Sequence, residues 1–419
     1  MQWKNFIVSI QDMNNLFERP FPRVQLHPAT IKHLKKGHPW TTKDRFTEEF
    51  PKNRLFLIGT DGNGTETVLI MHDPNHPKVK ARAWTLKPPF VEAVKNFRDE
   101  LYQRLGAAFK KRVNSDYFDQ RDNLYLVFGE GDYLPGLFIQ KLGDTYLIQF
   151  YARFWTQIED VFLRLFRKVM KENDLTGQIL IQDRFPNAKS KTRRIDKKAP
   201  VESTSVNENG IVMEVHPGRA HDPGIYTDAS SIRTRMSKYL KGSQSVLNLY
   251  SYTGAFSLQA MKEGAERVVS VDLSGKYLQQ LEKNISLNED LNPKSHESIE
   301  GDVNKVIADM VKKKDAFDLV ICDPPSASSD GKKMSSAVKN YDTLLPKLNK
   351  ITNPKGHIAI FLNTHNVTRK SFKTKVQDII KKENLKLNIV AEWSLADDCP
   401  VSKGFPEGDY LKVLVLEKK

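Results

Sequence analysis

The sequence predicts an α/β protein whose second half is a doubly wound, largely parallel sheet, preceded by a β-rich module and a small central α/β module. Three observations carry this. From Ile211 onward, apolar runs of strand length alternate with amphipathic runs of helical period, the pattern of a parallel sheet covered on both faces. The stretch Val246–Asp272, VLNLYSYTGAFSLQAMKEGAERVVSVD, reads as strand, turn, helix and strand, with an acid ending the second strand. Between Phe21 and Leu86 the text instead offers short strands broken by Gly, Asn and Pro.

Composition sets the outer limits. A chain of 419 residues is too long for one ordinary core, and 39% hydrophobic residues can fill several. The formal net charge of +14 favours a polyanionic partner, although lysines spread over so large a surface also serve solubility. Two cysteines, Cys322 and Cys399, provide neither a disulfide framework nor a metal-ligand cluster, which suits a reducing, cytoplasmic setting. No apolar run reaches membrane length, and MQWKNFIVSIQDMNN lacks the basic start and long apolar core of a signal peptide.

In chain order, residues 1–20 read as an extension without a motif. Within 21–88, Arg54–Gly59 and Thr67–His72 flank an Asn63-Gly64 step and form a hairpin. Lys32, Lys35, Lys36, His38 and Lys43 surround Trp40, a combination that can hold phosphates and stack a base. The alternative is a Trp40 ring packed beneath its own turn. Within 89–186, Val94, Phe97, Leu101, Leu105 and Ala108 recur at helical spacing over 91–112. Three strands follow in LYLVFGEGDYLPGLFIQKLGDTYLIQFYA, then a helix at Phe154–Lys171 and a strand at Gln178–Gln182. Glu130 and Asp132 in the GEGDYLPG loop read as turn formers, since no His, Cys or third ligand joins them. The segment 187–205 is a basic linker, with Lys189, Lys191, Arg193, Arg194, Lys197 and Lys198 against Asp196 alone. It reads as a phosphate-tracking arm or as a plain solvated connection.

The remaining 206–419 form the doubly wound unit. A strand and a Gly/Pro loop lead into a helix that Asp228 is expected to cap. Strands are expected at Val246–Tyr250, Val268–Asp272, around Ser298, Phe317–Cys322, His357–Leu362, Leu387–Trp393 and Tyr410–Leu416. Helices at 255–263, 276–286, 303–312, 337–350 and 370–382 separate all but the last two, which should form an antiparallel edge pair.

Open α/β sheets bind ligands beyond the carboxyl ends of their strands. Tyr250, Ser251, Tyr252, Thr253 and Gly254 occupy that place after the first strand of the nucleoside-binding, Rossmann-like half. One glycine stands where G-x-G-x-x-G has three, so the turn lacks a pyrophosphate cradle. A nucleoside without phosphates fits better, and S-adenosylmethionine (SAM) is the commonest. Asp272 can accept the ribose hydroxyls, with Leu273 beside it; Asp302 can meet the adenine amino group, and Asp228 completes the set. In VICDPPS two prolines fix the backbone after a strand. Asp323, Pro324, Pro325 and Ser326 then present a carboxylate and rigid carbonyls to the N–H groups of a base, with Asn363 and His365 nearby.

Taken together, NLYSYTGAF, VVSVDLS, DPPSASSDGKKM and FPEGDYLK resemble the SAM-dependent 23S rRNA large-subunit methyltransferases of the I type. KKGHPW and HDPNHPKVKARAW are similar to their N-terminal PUA domain, and EGDYLPGL and YTDASSIRTR match in order. The resemblance spans Phe21 to Lys419 and implies a class I SAM-methyltransferase domain, SAM as cofactor, and an RNA substrate, one nucleotide of 23S rRNA. No metal and no membrane partner are expected, and nothing bars a homodimer. One departure stands out. The I-type enzymes methylate cytosine C5, which requires a cysteine thiolate to add at C6. Where the resemblance implies that cysteine, this chain has IAIFLNTHN, with Asn363, Thr364 and His365. Cys399 lies on a loop that could reach the cleft, whereas Cys322 reads as a buried strand residue. DPPSASSDGKKM also resembles the catalytic half of the K/L-type enzyme, a guanine N7 methyltransferase, so a ring or exocyclic nitrogen becomes a possible target. The rivals are a SAM-binding but inactive ribosome-assembly factor and a methyltransferase acting on something other than RNA.

Overall fold

Burial of the apolar positions sorts the chain into two units in the computed structural model, which describes residues 21–188, 192–195, 203–219, 223–325 and 336–419. Residues 1–20, Lys189, Lys191, Asp196, Lys197, Lys198 and Ser326 lie outside the described residues.

The first unit takes in residues up to 119, then 124–200 and 400–405. Its first sheet has five strands, β1 (Arg23–Gln25), β2 (Trp40–Thr42), β3 (Phe56–Thr60), β4 (Glu66–His72) and β5 (Val79–Thr85), in the order β1-β3-β4-β5-β2. The expected hairpin is β3–β4. Asp61 shapes its turn, its Oδ1 accepting from the Asn63 and Thr65 amides at 2.9 Å each. A second sheet runs in sequence through β6 (Asn123–Phe128), β7 (Leu137–Leu142), β8 (Thr145–Phe150), β9 (Gln178–Asp183) and β10 (Thr192–Arg194).

The helices of this region are α1 (Pro28–Lys35), α2 (Phe90–Lys95), α3 (Phe97–Val113), α4 (Asp116–Gln120), α5 (Phe154–Gln157) and α6 (Glu159–Glu172). The helix expected over 91–112 is thus divided at Asn96, yet Val94, Phe97, Leu101, Leu105 and Ala108 are all buried as their spacing requires. They join one core with Phe56, Ile58 and Met71 of the first sheet and Ile139 and Ile148 of the second. The β-rich and central modules therefore share an interior.

Trp40 also packs inward. Its ring meets Phe405 edge-on at 4.7 Å between centroids, and its indole N–H donates to Glu130 Oε1 at 2.8 Å. Glu130 and Asp132 do more than form a turn. Asp132 takes a two-pronged ion pair from the buried Arg112 at 2.6 and 2.7 Å, and Glu130 stands 3.5 Å from Arg82. Arg193, read as part of a solvated linker, lies in β10 and bonds Glu159 through both nitrogens at 2.8 and 2.9 Å.

The second unit comprises 120–123, 201–399 and 406–419. A hairpin of β11 (Thr204–Glu208) and β12 (Ile211–Val215) precedes a seven-stranded sheet. The strands are β13 (Ser245–Leu249), β14 (Arg267–Asp272), β15 (His296–Glu300), β16 (Phe317–Cys322), β17 (Thr352–Asn363), β18 (Leu387–Trp393) and β19 (Leu411–Lys418). Their order is β15-β14-β13-β16-β17-β19-β18. The first five are parallel; β19 runs antiparallel between β17 and the edge strand β18. The last two strands thus pair as expected, with the final one inserted inside the other.

Among the described residues the unit also has six helices: α7 (Ser230–Leu240), α8 (Ala255–Lys262), α9 (Gly275–Ser286), α10 (Val303–Lys313), α11 (Ser336–Lys350) and α12 (Arg369–Lys382). Near-continuous apolar strands such as β16, FDLVIC, are buried because helices cover both faces; Leu319, Val320, Ile321 and Cys322 are each 0% exposed. Strand order reverses between β13 and β16, which opens a crevice at their carboxyl ends. Among the described residues no helix is long and apolar enough to cross a membrane.

Candidate cofactor and base site

The chain leaves β13 through a turn that only particular residues tolerate. Tyr250 and Tyr252 have φ of 59° and 52°, and Gly254 has φ of 85°. A Cβ on Gly254 would stand 2.3 Å from Leu281 Cγ, so glycine is required both by its backbone and by the packing of α9. The Ser251 amide donates to Val271 O at 3.0 Å, tying the turn to β14.

Asp272 joins the same two loops. Its Oδ2 accepts from the Tyr252 amide and its Oδ1 from the Ser274 amide, both at 2.9 Å. The carboxylate keeps acceptor capacity for a ligand hydroxyl. Burial raises the Asp272 carboxyl pKa, while the amides of Ser274 and Leu273 oppose the rise. Leu273, 74% exposed, leaves an apolar side chain beside the carboxylate. Asp302 has a structural duty too. It is the N-cap of α10, accepting from the Lys305 amide at 3.1 Å.

Sequence reasoning missed the loop at 223–226. The Gly224 amide donates to the Tyr252 hydroxyl at 2.8 Å, and the Thr253 hydroxyl donates to Gly224 O at 2.6 Å. Tyr226, Tyr252 and Tyr277 form a row with ring centroids 5.0 and 4.7 Å apart. The Pro223-Gly224 step was the visible signal, but nothing local says which turn it faces.

Asp228 does not cap α7. A 3₁₀ turn, Thr227–Ala229, intervenes, and its carboxylate instead accepts from the Tyr410 hydroxyl at 2.7 Å. Burial raises the Asp228 pKa; the Tyr410 bond and Arg233 oppose this, and Asp398 adds to it. Arg233 is itself held by Glu208 at 2.5 and 2.7 Å and donates to Tyr226 O at 3.1 Å. Asn123 donates to Glu208 and Arg121 to Asp398, each at 2.6 Å, so residues 120–123 supply two supports to this buried network.

Asp323 follows β16 and is half-buried, with Pro324 buried and Pro325 exposed. Burial and the charge of Asp228 push its pKa up to about 7. The charge of Asp228 is thus felt at Asp323. Asn363 ends β17 opposite Leu411, and the next amide, Thr364 N, donates to Tyr410 O at 2.8 Å. His365 is exposed and its Nδ1–H donates to Glu407 O at 2.6 Å.

Neither cysteine is placed for nucleophilic work. Cys322 is 0% exposed within β16, and burial drives its thiol pKa well up. Cys399 is 4% exposed. Among the described residues no three His, Cys, Asp or Glu side chains are grouped to hold a metal ion. The single glycine turn, with Asp272 offering unfilled acceptor sites, suits a nucleoside that carries no phosphate.

Known proteins bear on this geometry. The family model of S-adenosylmethionine-dependent methyltransferases matches residues 175–380. A provisionally named ribosomal RNA large subunit methyltransferase of Bacillus subtilis, YwbD, is 33% identical over 301 residues, 70% of this chain and 73% of the relative. Ribosomal RNA large subunit methyltransferase I of Aliivibrio fischeri is 28% identical over 397 residues, covering 93% of this chain and 97% of that one. A provisionally assigned SAM-dependent methyltransferase structure from Streptococcus mutans superposes with a TM-score of 0.81 at 22% identity, over 95% of this chain and 100% of its own. Another methyltransferase structure, complexed with SAH, does so with a TM-score of 0.82 at 22% identity and the same coverage.

Proposed function

This chain belongs to the SAM-dependent ribosomal RNA large-subunit methyltransferases, and we propose that it methylates a nitrogen, in the ring or exocyclic, of one base in 23S rRNA or its large-subunit precursor. The observation that carries the choice of nitrogen is the thiol inventory. Attack on cytosine C5 needs a thiolate at C6, and the chain's two cysteines are both buried, one of them inside a strand. A base nitrogen has its own lone pair, so alignment with the methyl group suffices.

SAM, when bound, supplies an electrophilic methyl group. In this reading Tyr250–Gly254 and Asp272 hold its ribose and amino-acid portions, Leu273 covers the adenine, and Asp302 approaches the adenine amino group. Asp323 and the carbonyls of Pro324 and Pro325 orient the target base, with Ser326 and Asn363 lining the same end. Asp228 moves from the cofactor set to the base set, because its carboxylate faces Tyr410 and raises Asp323. The PUA-like sheet over 21–88 and the basic segment 187–205 grip RNA phosphates in a cytoplasmic setting.

The test is transfer from labelled SAM to large-subunit rRNA prepared from cells lacking this protein, followed by mass-spectrometric mapping. One methylated nitrogen is expected. A methyl group on carbon overturns the choice of atom, and RNA binding without transfer reassigns the protein as an assembly factor.

A further inference from the structure

The second sheet of the first unit has two unlike faces. Ile139, Ile148 and Ile181 join the core shared with α3 and α6, so their strand neighbours Phe138, Gln149 and Gln182 stand on the other face. The register sets Phe138 of β7, Gln149 of β8, Gln182 of β9 and Thr192 of β10 in one row across four strands. Hydrogen bonds tie the row together. Gln149 Nε2 donates to Gln182 Oε1 at 2.9 Å, and Gln182 Nε2 donates to the Thr192 hydroxyl at 3.0 Å.

Tyr151 and Arg184 extend β8 and β9 on this same face, their amides donating to Gly136 O and Phe150 O at 2.8 Å each. The Tyr151 ring lies 5.0 Å from that of Phe138, centroid to centroid, and the Arg184 guanidinium is 5.9 Å from the Tyr151 centroid. Phe138 is braced in turn by Phe128, ring to ring at 5.0 Å, and by Gly129, where a Cβ would come within 2.8 Å of Phe138 Cζ. Gln182 is buried, whereas Phe138, Gln149 and Arg184 are half-buried and Tyr151 is 37% exposed. Along β7 to β10 the described positions of this face carry no carboxylate.

We propose that the accessible end of this face is a platform for unpaired bases of the RNA substrate, on which Phe138 and Tyr151 stack with bases, Gln149 bonds a base edge and Arg184 meets a backbone phosphate. The proposal rests on the RNA reading above and adds a place where bases, as distinct from phosphates, are held. Flat rings on rigid strands stack with bases at little entropic cost, and an amide offers both a donor and an acceptor to a base edge. No acid on these strands opposes a polyanion, and the chain passes from Arg184 into the basic stretch 187–205. The bases must be unpaired, since a duplex hides their flat faces. Taking a target base out of its stack leaves such neighbours beside it.

The experiment measures binding of the full chain to oligoadenosine, to oligouridine of equal length, and to the duplex the two form together. Wild type is compared with Tyr151→Ala, Tyr151→Phe, Phe138→Leu and Arg184→Gln. Tyr151→Ala and Phe138→Leu should each weaken single-strand binding by roughly tenfold, the scale of one lost stacking ring, and leave duplex binding almost unchanged. Tyr151→Phe keeps the ring and should stay within about twofold of wild type. Arg184→Gln should flatten the slope of log affinity against log salt by about 0.7, the value for one phosphate of a single strand. In methyl transfer to rRNA the Tyr151→Ala loss should appear in KM for the RNA, with SAM affinity unaltered.

If Tyr151→Ala and Phe138→Leu bind the single strands as wild type does while wild type methylates rRNA, the platform is wrong and the RNA reading stands. Equal losses for single strand and duplex, or a Tyr151→Phe loss as large as that of Tyr151→Ala, also overturn the platform alone. Unchanged RNA affinity with weakened binding to ribosomal large-subunit proteins gives the face to a protein and overturns it as well. A wild type that neither binds nor methylates RNA overturns both. Should the more enclosed Phe138→Leu fail to fold, the exposed Tyr151 decides by itself.

Discussion

The amide of Tyr252 donates to Asp272 Oδ2 at 2.9 Å, so the loops after two neighbouring strands are fastened through one carboxylate. Ser274 takes the other oxygen. The acid proposed to accept the ribose hydroxyls thus also sets the shape of the turn proposed to receive the rest of the cofactor.

Asp272→Ala is expected to weaken SAM binding by roughly tenfold or more, the scale of charge-assisted hydrogen bonds to hydroxyls. Calorimetry with SAM and with an analogue lacking both ribose hydroxyls separates contact from loop shape. The variant's deficit should shrink with the analogue. An equal deficit for both ligands means Asp272 acts only by holding the turn.

Gly254→Ala forces a side chain into a left-handed backbone and to within 2.3 Å of Leu281 Cγ. A loss of about 2–4 kcal/mol is expected from strain and overpacking together. Denaturant unfolding of the variant reads this directly, and an unchanged midpoint contradicts it.

Cys399→Ser and Cys322→Ala should both retain methyl transfer. Cys322→Ala shortens a fully buried side chain in β16 and should cost about 1 kcal/mol of stability. Single-turnover rates decide the chemistry: a fall of several orders of magnitude in Cys399→Ser restores a thiolate mechanism and hence a carbon target.

Trp40→Ala should destabilise the first unit by about 2–3 kcal/mol, because it removes the ring against Phe405 and leaves buried Glu130 without its indole donor. RNA affinity of the folded variant should change little. A large affinity loss with unaltered thermal stability would point to base stacking instead.

His296 gives a pH-dependent contribution to folding. Its ring is buried, with Nε2 2.8 Å from the Ser270 hydroxyl, and burial lowers its pKa below the ordinary 6.5. The folded state therefore resists a proton that the unfolded chain accepts. This contribution is complete above about pH 6.5 and is lost as pH falls towards the folded value, by at most ~1.4 kcal/mol per pH unit. Urea titrations between pH 7.5 and 5.5 should show a shallower fall for His296→Gln than for wild type.

Strands, helices and the acids at their ends were legible because they depend on short-range pattern. Val268–Val271 is apolar since both faces of β14 are covered, and Asp272 marks where that cover stops. Asp302 and Asp228 show the limit. Both precede helices and look alike in the text, yet one caps its helix and the other turns to Tyr410. A single 3₁₀ turn separates the outcomes, and the partner that Asp228 takes instead lies 182 residues further along. Arg121 and Asn123 were equally hidden, because their partners Asp398 and Glu208 are 277 and 85 residues away.

By itself, the sequence determined the α/β class, the nucleoside-binding half at Val246–Asp272, the DPP turn and the missing thiol, since periodicity, turn chemistry and residue type are local properties. Tertiary structure decided which charges share a neighbourhood. It inserted β19 beside β17, and that placement brings Tyr410 to Asp228 and Lys412 to the end of β17. A buried carboxylate feels the charges and donors that the fold brings to it, so the surroundings of each are set by chain crossings that no short stretch of sequence encodes.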